Sequence, residues 1–244
     1  MPILNLLYTD SISIDDRFRV AVPTVGEIID NEEDYYTIVS ICTATPIDYM
    51  VMLDELGFDF TEVSEYELFL MLFPCIQDIC KQSHEKSELF LRDIDVSKFV
   101  LGKDEDTGDY VYVDTESGAV IDKRIHSKLS SIIRNIHKLK KDNRKPANSD
   151  AKEYMLDIAK RRAKRRTTRI ERSRLESLIV AMVNAKEFKY DFRSVRDLTI
   201  YQFNESVRQV IKRVDYDNYM FGICSGNLRA KDIDKDALNW LSHK

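Results

Sequence analysis

Residues 64–82 read SEYELFLMLFPCIQDICKQ, and this stretch decides the fold. Ser64, followed three positions later by Glu67, is a capping box that starts a helix. Apolar residues follow the helical period along one side, and these are Tyr66, Phe69, Leu70, Phe73, Ile76 and Cys80. The other side is also apolar and carries Leu68, Met71 and Leu72. A helix that is apolar all round must be buried in a core or an interface. Pro74 is expected to kink it.

This apolar surplus has two interpretations. A hydrophobic core explains most of it, and a groove for an amphipathic partner helix is the alternative. Under the second interpretation, Phe69 and Phe73 are candidate partner-binding residues. Trp240, which we expect to dock as part of a short amphipathic turn in the C-terminal tail, is a third candidate.

Outward from this helix, the patterns predict an α+β fold that is predominantly α-helical. It has a short N-terminal β-hairpin region and a small three-stranded β-meander. The predicted strands are residues 3–8, 11–14, 17–22, 99–101, 110–113 and 119–121. The predicted helices are residues 33–43, 45–57 with Thr45 as N-cap, 64–82, 123–140, 151–183 with a break near Thr167, and 197–221. The linker-like composition of residues 141–150 divides the chain into an acidic α+β domain, 1–140, and a basic helical domain, 151–244.

The two halves of the chain carry opposite charge. Residues 1–122 hold 7 Lys and Arg against 27 Asp and Glu, whereas residues 123–244 hold 30 against 15. The net charge of −5 over 244 residues hides this difference. Such a split indicates a charged partner, which is either a polymer, another copy of the chain or another protein.

The densest positive segment is KRRAKRRTTRIERSR, residues 160–174. On a helix it would form a basic ridge made of Arg162, Arg165, Arg166, Arg169 and Arg172. This ridge could neutralise nucleic-acid phosphates, but it has no interleaved aromatic residues for stacking bases. Alternatively, the segment is a solvated helix face or pairs with the acidic half of the chain. We favour this interpretation over nucleic-acid binding.

The sequence contains few motifs that are typical of catalytic, cofactor-binding or metal-binding sites. Asp106-Thr107-Gly108 matches the aspartic-protease tripeptide, but its acidic flanks favour a hairpin turn. His126 and His137 share a helix face without metal-ligand spacing, so we expect surface or capping histidines. The four cysteines are expected to be reduced and without function. The sequence contains no Walker A, Gly-x-Gly-x-x-Gly or Gly-x-Ser-x-Gly motif. We therefore expect no enzyme activity, no cofactor and no metal.

The N-terminal sequence MPILNLLYTDSISID has no basic segment and turns acidic at once. We therefore expect no secretory signal peptide. The longest apolar run, residues 68–76, is too short to span a bilayer. These features predict a cytoplasmic protein without a membrane partner.

Five segments together resemble a known group of proteins. They are VPTVGEIID (22–30), GFDFTEVSEYELFLMLF (57–73), DVSKFVLGKDEDTGDYVYVD (95–114), AMVNAKEFKYDFRSVRDLTIYQFNESVRQVIK (181–212) and DKDALNWL (234–241). In this order they resemble tail assembly chaperones of long-tailed phages and prophages of Gram-positive bacteria. The resemblance spans nearly the whole chain, and its motifs are structural rather than catalytic.

The resemblance implies a non-enzymatic role in phage tail assembly in the cytoplasm of an infected host. Such a chaperone coats the helical tape-measure protein until the tail tube polymerises around it, and the opposite charges predict self-association. Two alternatives stay open. One is a nucleic-acid-binding or regulatory protein that uses the basic helix 160–174, and the other is a structural virion subunit.

Overall fold

The computed structural model describes residues 6–105, 107–166 and 173–241. In these ranges the chain forms two three-stranded antiparallel sheets and is dominated by helices, which confirms the predicted α+β class. The helices are α1 (Val25–Ile29), α2 (Glu32–Cys42), α3 (Met50–Glu55), α4 (Glu65–Cys80), α5 (His84–Glu88), α6 (Lys123–His137), α7 (Ser149–Arg166), α8 (Arg174–Val183) and α9 (Ile200–Cys224). The strands are β1 (Ser11–Ser13), β2 (Arg19–Ala21), β3 (Leu91–Arg92), β4 (Val100–Lys103), β5 (Tyr110–Asp114) and β6 (Ala119–Ile121).

Helix α4 lies at the centre of the molecule. The capping box is present, since the Glu67 N–H donates to Ser64 Oγ at 3.2 Å and the Ser64 N–H donates to Glu67 Oε2 at 2.7 Å. The helix packs against α2, α6 and β5. One side of the helix is exposed and carries Glu67, Met71, Pro74, Cys75 and Asp78, so the prediction that the helix is buried all round is wrong for this side.

Phe69 and Phe73 are both completely buried in α4. Their ring centroids lie 5.2 Å apart, and the Phe73 ring lies 4.2 Å from that of Tyr112 on β5. Neither side chain is accessible to a partner in this structure. The structure therefore assigns both residues to the core, which corrects their interpretation as partner-binding residues.

Helix α4 runs through Pro74 without a break. Proline has no N–H, so the carbonyl of Leu70, one turn earlier, loses its helical partner. The Tyr112 hydroxyl lies 3.3 Å from that carbonyl and donates to it. A strand residue thus satisfies the backbone group that proline leaves free, and this bond ties the meander to the central helix.

Two local predictions in the N-terminal region are wrong. Residues 6–8, the described part of the predicted strand 3–8, form a turn instead. The predicted helix 45–57 is shorter, because residues 46–49 are turns and α3 begins only at Met50. Thr45 is therefore not the N-cap of α3, which is Tyr49; its N–H and hydroxyl donate to Asp48 Oδ2 at 2.9 and 2.7 Å and close the preceding turn. The hairpin β1–β2 is present, and β3 adds a third strand to it.

The predicted meander is confirmed as β4–β5–β6. Its first turn includes Thr107 and Gly108, and Gly108 adopts φ +74°, a left-handed conformation that suits glycine. Thr107 and Gly108 of the tripeptide therefore lie in a hairpin turn, and Asp106 lies outside the described residues. Helix α6 follows and ends at His137, so Leu139 is 43% exposed and does not continue the apolar stripe as predicted.

His126 is buried, so the prediction of a surface or capping residue is wrong there, whereas His137 is half-buried in the last turn of α6. The His126 ring packs between the rings of Tyr66 and Phe69, at centroid distances of 5.7 and 4.4 Å. His137 Nε2 lies 2.9 Å from the Tyr35 hydroxyl. Burial lowers the pKa of each histidine to about 4. Both residues lie on the face of α6 that turns toward the core.

The N-terminal and C-terminal parts of the chain are joined by backbone hydrogen bonds. The Val25 N–H donates to the Leu198 carbonyl, and the Ile200 N–H donates to the Pro23 carbonyl, both at 2.8 Å. A β-carbon at Gly26 would lie 3.2 Å from the Arg196 carbonyl oxygen, so glycine permits this close approach.

Residues on both sides of the predicted linker contribute to one hydrophobic core. The contributors from the C-terminal side include Leu175, Ile179, Met182, Val195, Leu198, Ile200 and Phe203. Helices α7 and α8 occupy most of the predicted helical stretch 151–183, and its expected break near Thr167 lies outside the described residues. The division into two domains stays a prediction.

Truncation of Phe73 tests its assignment to the core. We expect Phe73→Ala to lower the free energy of unfolding by about 3–5 kcal/mol, because it leaves a cavity beneath the meander. Met71→Ala, on the exposed side of the same helix, should change it by less than about 0.5 kcal/mol. Urea unfolding followed by circular dichroism measures both, and equal losses would contradict the assignment.

Burial of the two histidines predicts a pH dependence of stability. Between about pH 6.5 and pH 4 the unfolded chain binds protons that the folded chain excludes, so stability falls as the pH falls through this window. A pKa lowered from 6.5 to about 4 corresponds to on the order of 3 kcal/mol for each histidine. His126→Leu should therefore remove about half of this loss in urea titrations at pH 7 and pH 5. Identical pH slopes for the variant and the wild type would refute this explanation.

Candidate partner-binding surfaces

The opposite charges of the two halves meet within the chain. Four ion pairs join a carboxylate from residues 1–122 to a cation from residues 123–244. They are Asp30–Arg196 at 2.9 Å, Asp54–Lys160 at 2.6 Å, Asp59–Lys152 and Glu65–Lys141. Their side chains are one-third or more exposed in nearly every case, so each pair contributes little alone. Part of the charge asymmetry is therefore used for packing within one molecule.

A cleft of about 1110 Å³ lies beside two of these pairs, Glu65–Lys141 and Asp59–Lys152. Its walls are the residues before α3, the start of α4 and one side of α6. Residues 139–148, which we call the crossing segment, have no regular secondary structure and form another wall before α7 begins. The segment predicted to be a linker therefore helps to form this cleft.

The cleft combines cations with apolar side chains. Its cations are Lys123, Arg134, Lys141, Arg144, Lys145 and Lys152, against the two carboxylates Glu65 and Asp142. Its apolar residues are Pro46, Ile47, Phe60, Val63 and Pro146. This mixture provides both an apolar contact surface and a positive potential.

Four of the six cations have partners within the chain. Lys141 pairs with Glu65, Arg144 with Asp142 at 2.5 Å, and Lys152 with Asp59. Hydrogen bonds from Lys152 and Thr61 lower the pKa of Asp59 to about 2. These pairs hold the crossing segment and α7 against the acidic part of the chain.

Arg134 is the fourth paired cation and is held by hydrogen bonds on the floor of the cleft. It donates to the Thr43 carbonyl and, from Nε, to the Ser130 hydroxyl at 3.2 Å. Lys123 and Lys145 are exposed and form no ion pair with the residues that the structure describes. These two lysines are therefore available to a negatively charged partner.

The structure describes only part of the predicted basic ridge. Arg162 and Arg165 are exposed near the end of α7. Arg169 and Arg172 lie outside the described residues, as does the side chain of Arg166. The preceding part of α7 packs against α3, where Lys160 pairs with Asp54. The role of this ridge in binding stays a prediction.

Trp240 lies beside α9, as expected for a docked tail. The Gln209 side chain donates to the Trp240 carbonyl at 2.9 Å, and the Arg213 guanidinium lies 4.9 Å from the centre of the indole ring. The tail therefore folds back onto the helix that precedes it. Its role in partner binding stays a prediction.

The fold of the C-terminal part, with α8, α9 and this docked tail, can be compared with known proteins. Residues 164–244 match the family model described as YomV second domain. The match covers about a third of the chain and identifies a phage-associated domain there. No curated protein and no solved structure matches the chain.

The YomV second-domain match adds no catalytic or binding residue. Among the residues that the structure describes, no group of three or more His, Cys, Asp and Glu side chains could hold a metal ion. None of the described helices has the length and hydropathy needed to cross a bilayer. Cys42, Cys75, Cys80 and Cys224 are all unpaired thiols.

Sequence reasoning missed the cleft because its residues come from four separated segments. The one feature of the sequence that points to the cleft is the charge of residues 141–150, which we interpreted as the composition of a linker. The apolar residues that face it, such as Phe60 and Val63, carry no periodic pattern that connects them to α6.

A charge-reversal cycle tests the pairing of α7 with the acidic part of the chain. We expect Asp59→Lys and Lys152→Asp each to destabilise the chain, and the double variant to recover part of the loss because the ion pair is restored with opposite polarity. The coupling should be about 0.5 kcal/mol and should shrink as salt is added. Strictly additive effects of the two substitutions would show that this pair contributes nothing.

Proposed function

We propose that this chain is a non-enzymatic phage morphogenesis protein, a chaperone that binds the tape-measure protein during tail assembly. The observation that carries the proposal is the open cleft, which joins apolar side chains to two unpaired lysines next to a phage-associated domain. The resemblance of five segments along the chain to tail assembly chaperones supports the same role.

The chemistry of the cleft suits one class of partner segment. An amphipathic helix with an acidic side could place its apolar residues against the half-buried Ile47 and Val63, and its carboxylates beside Lys123 and Lys145. Binding of this kind needs no catalytic group. It would shield the apolar face of a long helical protein, which is the requirement for keeping such a protein dispersed.

Positive charge around the cleft also favours rapid association. Lysines at a rim accelerate the encounter with an acidic partner more than they increase the final affinity. The paired cations Lys141 and Lys152 keep the walls in place, whereas Lys123 and Lys145 can meet the partner. The proposal thus assigns structural and binding roles to different lysines.

Nucleic-acid binding is the second candidate function. The observation that favours it is the exposure of Arg162 and Arg165 at the start of the arginine-rich segment. The ion pairs of α7 with the acidic part of the chain favour the structural role instead. A shift assay with DNA and RNA at several salt concentrations distinguishes the two, since nucleic-acid binding requires a steep salt dependence.

A structural virion subunit is the remaining alternative. It would use the same binding surfaces but would stay in the finished particle, whereas a chaperone would leave. Mass spectrometry of purified virions separates these two roles.

Co-expression with the tape-measure protein of the same phage tests the proposed function. We expect the chain to increase the soluble fraction of the tape-measure protein. Lys123→Glu combined with Lys145→Glu should weaken binding on the order of tenfold, about 1.4 kcal/mol, through repulsion of an acidic segment. Isothermal calorimetry on the purified proteins measures this loss.

A matched control changes the same number of charges elsewhere. Lys81→Glu with Lys186→Glu alters two exposed lysines that do not line the cleft, so binding should stay as in the wild type. A tape-measure protein that is equally insoluble with and without the chain would contradict the chaperone role. Equal losses in both double variants would contradict the assignment to the cleft.

A further inference from the structure

Helix α9 carries an apolar face that is interrupted only by Asn218, between Val214 and Phe221. Its members follow the spacing of three and four residues that places side chains along one side of a helix. They are Ile200, Phe203, Val207, Val210, Val214 and Phe221, with Ile211 beside them. Ile200 and Phe203 are fully buried, and Val207 and Val210 pack against the core.

The second half of this face extends beyond the core. Ile211 is 55% exposed, Val214 is 43% exposed and Phe221 is 75% exposed. None of these three side chains belongs to the core that the described residues form. Clustered apolar side chains of this size on a soluble surface mark an interaction site.

The C-terminal tail packs against a different side of the second half of α9 and does not cover the exposed apolar side chains. Trp240 lies against Gln209 and Arg213, and Leu228 packs so closely on Gly222 that a β-carbon there would lie 2.6 Å from Leu228 Cδ1. The tail thus supports the end of α9 and leaves the face of Val214 and Phe221 open.

The charges along the exposed half of α9 indicate which partner fits it. Arg208 and Arg213 precede Val214, whereas Asp215 and Asp217 follow it. When two such helices cross in antiparallel orientation near Val214, the basic part of each lies beside the acidic part of the other. The surface is therefore complementary to itself in both charge and hydrophobicity.

We propose that two copies of this chain pair in antiparallel orientation through the exposed half of α9, with Val214 near the two-fold axis. The pairing covers Ile211, Val214 and Phe221 of both copies. It uses a surface distinct from the cleft. A dimer of this kind would present two clefts to one long partner, which increases the overall strength of binding.

The ion pairs present within one copy do not oppose this pairing. Arg213 lies 3.3 Å from Asp217 and Arg208 lies 2.6 Å from Glu205, both within α9. The first pair is more than one-third exposed on both sides, and pairs of this kind contribute little. These side chains can turn to the second copy at small cost.

The size of the contact predicts its strength. A pairing of two half-helices buries less than the roughly 1,200 Å² at which standard interfaces begin. We therefore expect reversible dimers with a dissociation constant in the micromolar range, weakened by salt.

Analytical ultracentrifugation of the purified chain over a wide concentration range tests the proposal. Val214→Glu with Phe221→Glu should raise the dissociation constant by at least about tenfold, because it places carboxylates in an apolar contact. Val180→Glu with Phe192→Glu is the matched control, since these side chains are exposed to a similar extent, 47% and 56%. The control should dimerise like the wild type.

A complementary pair of variants identifies the partner as a second copy. Asp215→Lys with Asp217→Lys should weaken self-association, and so should Arg208→Glu with Arg213→Glu. An equimolar mixture of the two should form heterodimers, because opposite charges again face one another. Circular dichroism verifies that each variant keeps its helices.

Cross-linking determines the orientation of the helices. A cysteine at Val214→Cys should form a disulfide between copies under oxidising conditions. The native Cys224 is exposed, but in the antiparallel arrangement its two copies lie about 30 Å apart, at 1.5 Å for each residue along the axis. Cys224 of the two copies should therefore not cross-link.

Several results would overturn the proposal. They are a wild-type chain that stays monomeric at all concentrations, a Val214 and Phe221 double variant that dimerises normally, or a Cys224–Cys224 cross-link. These measurements use the purified chain alone. Their failure would leave the test of tape-measure binding through the cleft unaffected.

Discussion

The need to bury the broad apolar face of helix α4 governs this structure. Only one side of α4 is exposed, so other elements must cover the remaining sides from several directions. Helices α2 and α6 pack against it, and the meander contributes Tyr112, whose hydroxyl bonds to the carbonyl that Pro74 leaves free. A proline that would weaken an isolated helix thus becomes a point of attachment for a strand. The same demand for cover explains why His126 on α6 is buried against Tyr66 and Phe69.

Opposite charge adds a second level of organisation. The acidic segments around α3 and the start of α4 attract the crossing segment and α7, as the pairs of Lys141, Lys152 and Lys160 show. This attraction places two further lysines, Lys123 and Lys145, at an open cleft beside apolar residues. The proposed chaperone role follows from this combination together with the phage-associated domain. The exposed end of α9 is a separate surface, so partner binding and self-association need not compete.

Most of the fold was predictable because its signals are local. The capping box at Ser64, the turn at Gly108 and the apolar stripe of α6 each depend on residues close in sequence, and the structure confirms them. The candidate site was less predictable. Phe69 and Phe73 looked suitable for a partner because hydrophobicity alone does not distinguish a core from a groove. The histidines looked exposed because imidazole is polar, whereas neutral imidazole packs readily against the rings of Tyr66 and Phe69.

The amino-acid sequence by itself determined the helix-rich class, the meander and the opposite charges of the two halves, since composition and short-range periodicity encode these properties. Only the tertiary structure decided which charges meet each other and which apolar residues stay exposed. The apolar face of α9 illustrates the reason. Phe203 and Phe221 belong to the same helical stripe, yet one is completely buried and the other is 75% exposed. The difference arises because the core ends part-way along the helix, and the position of that end depends on distant elements.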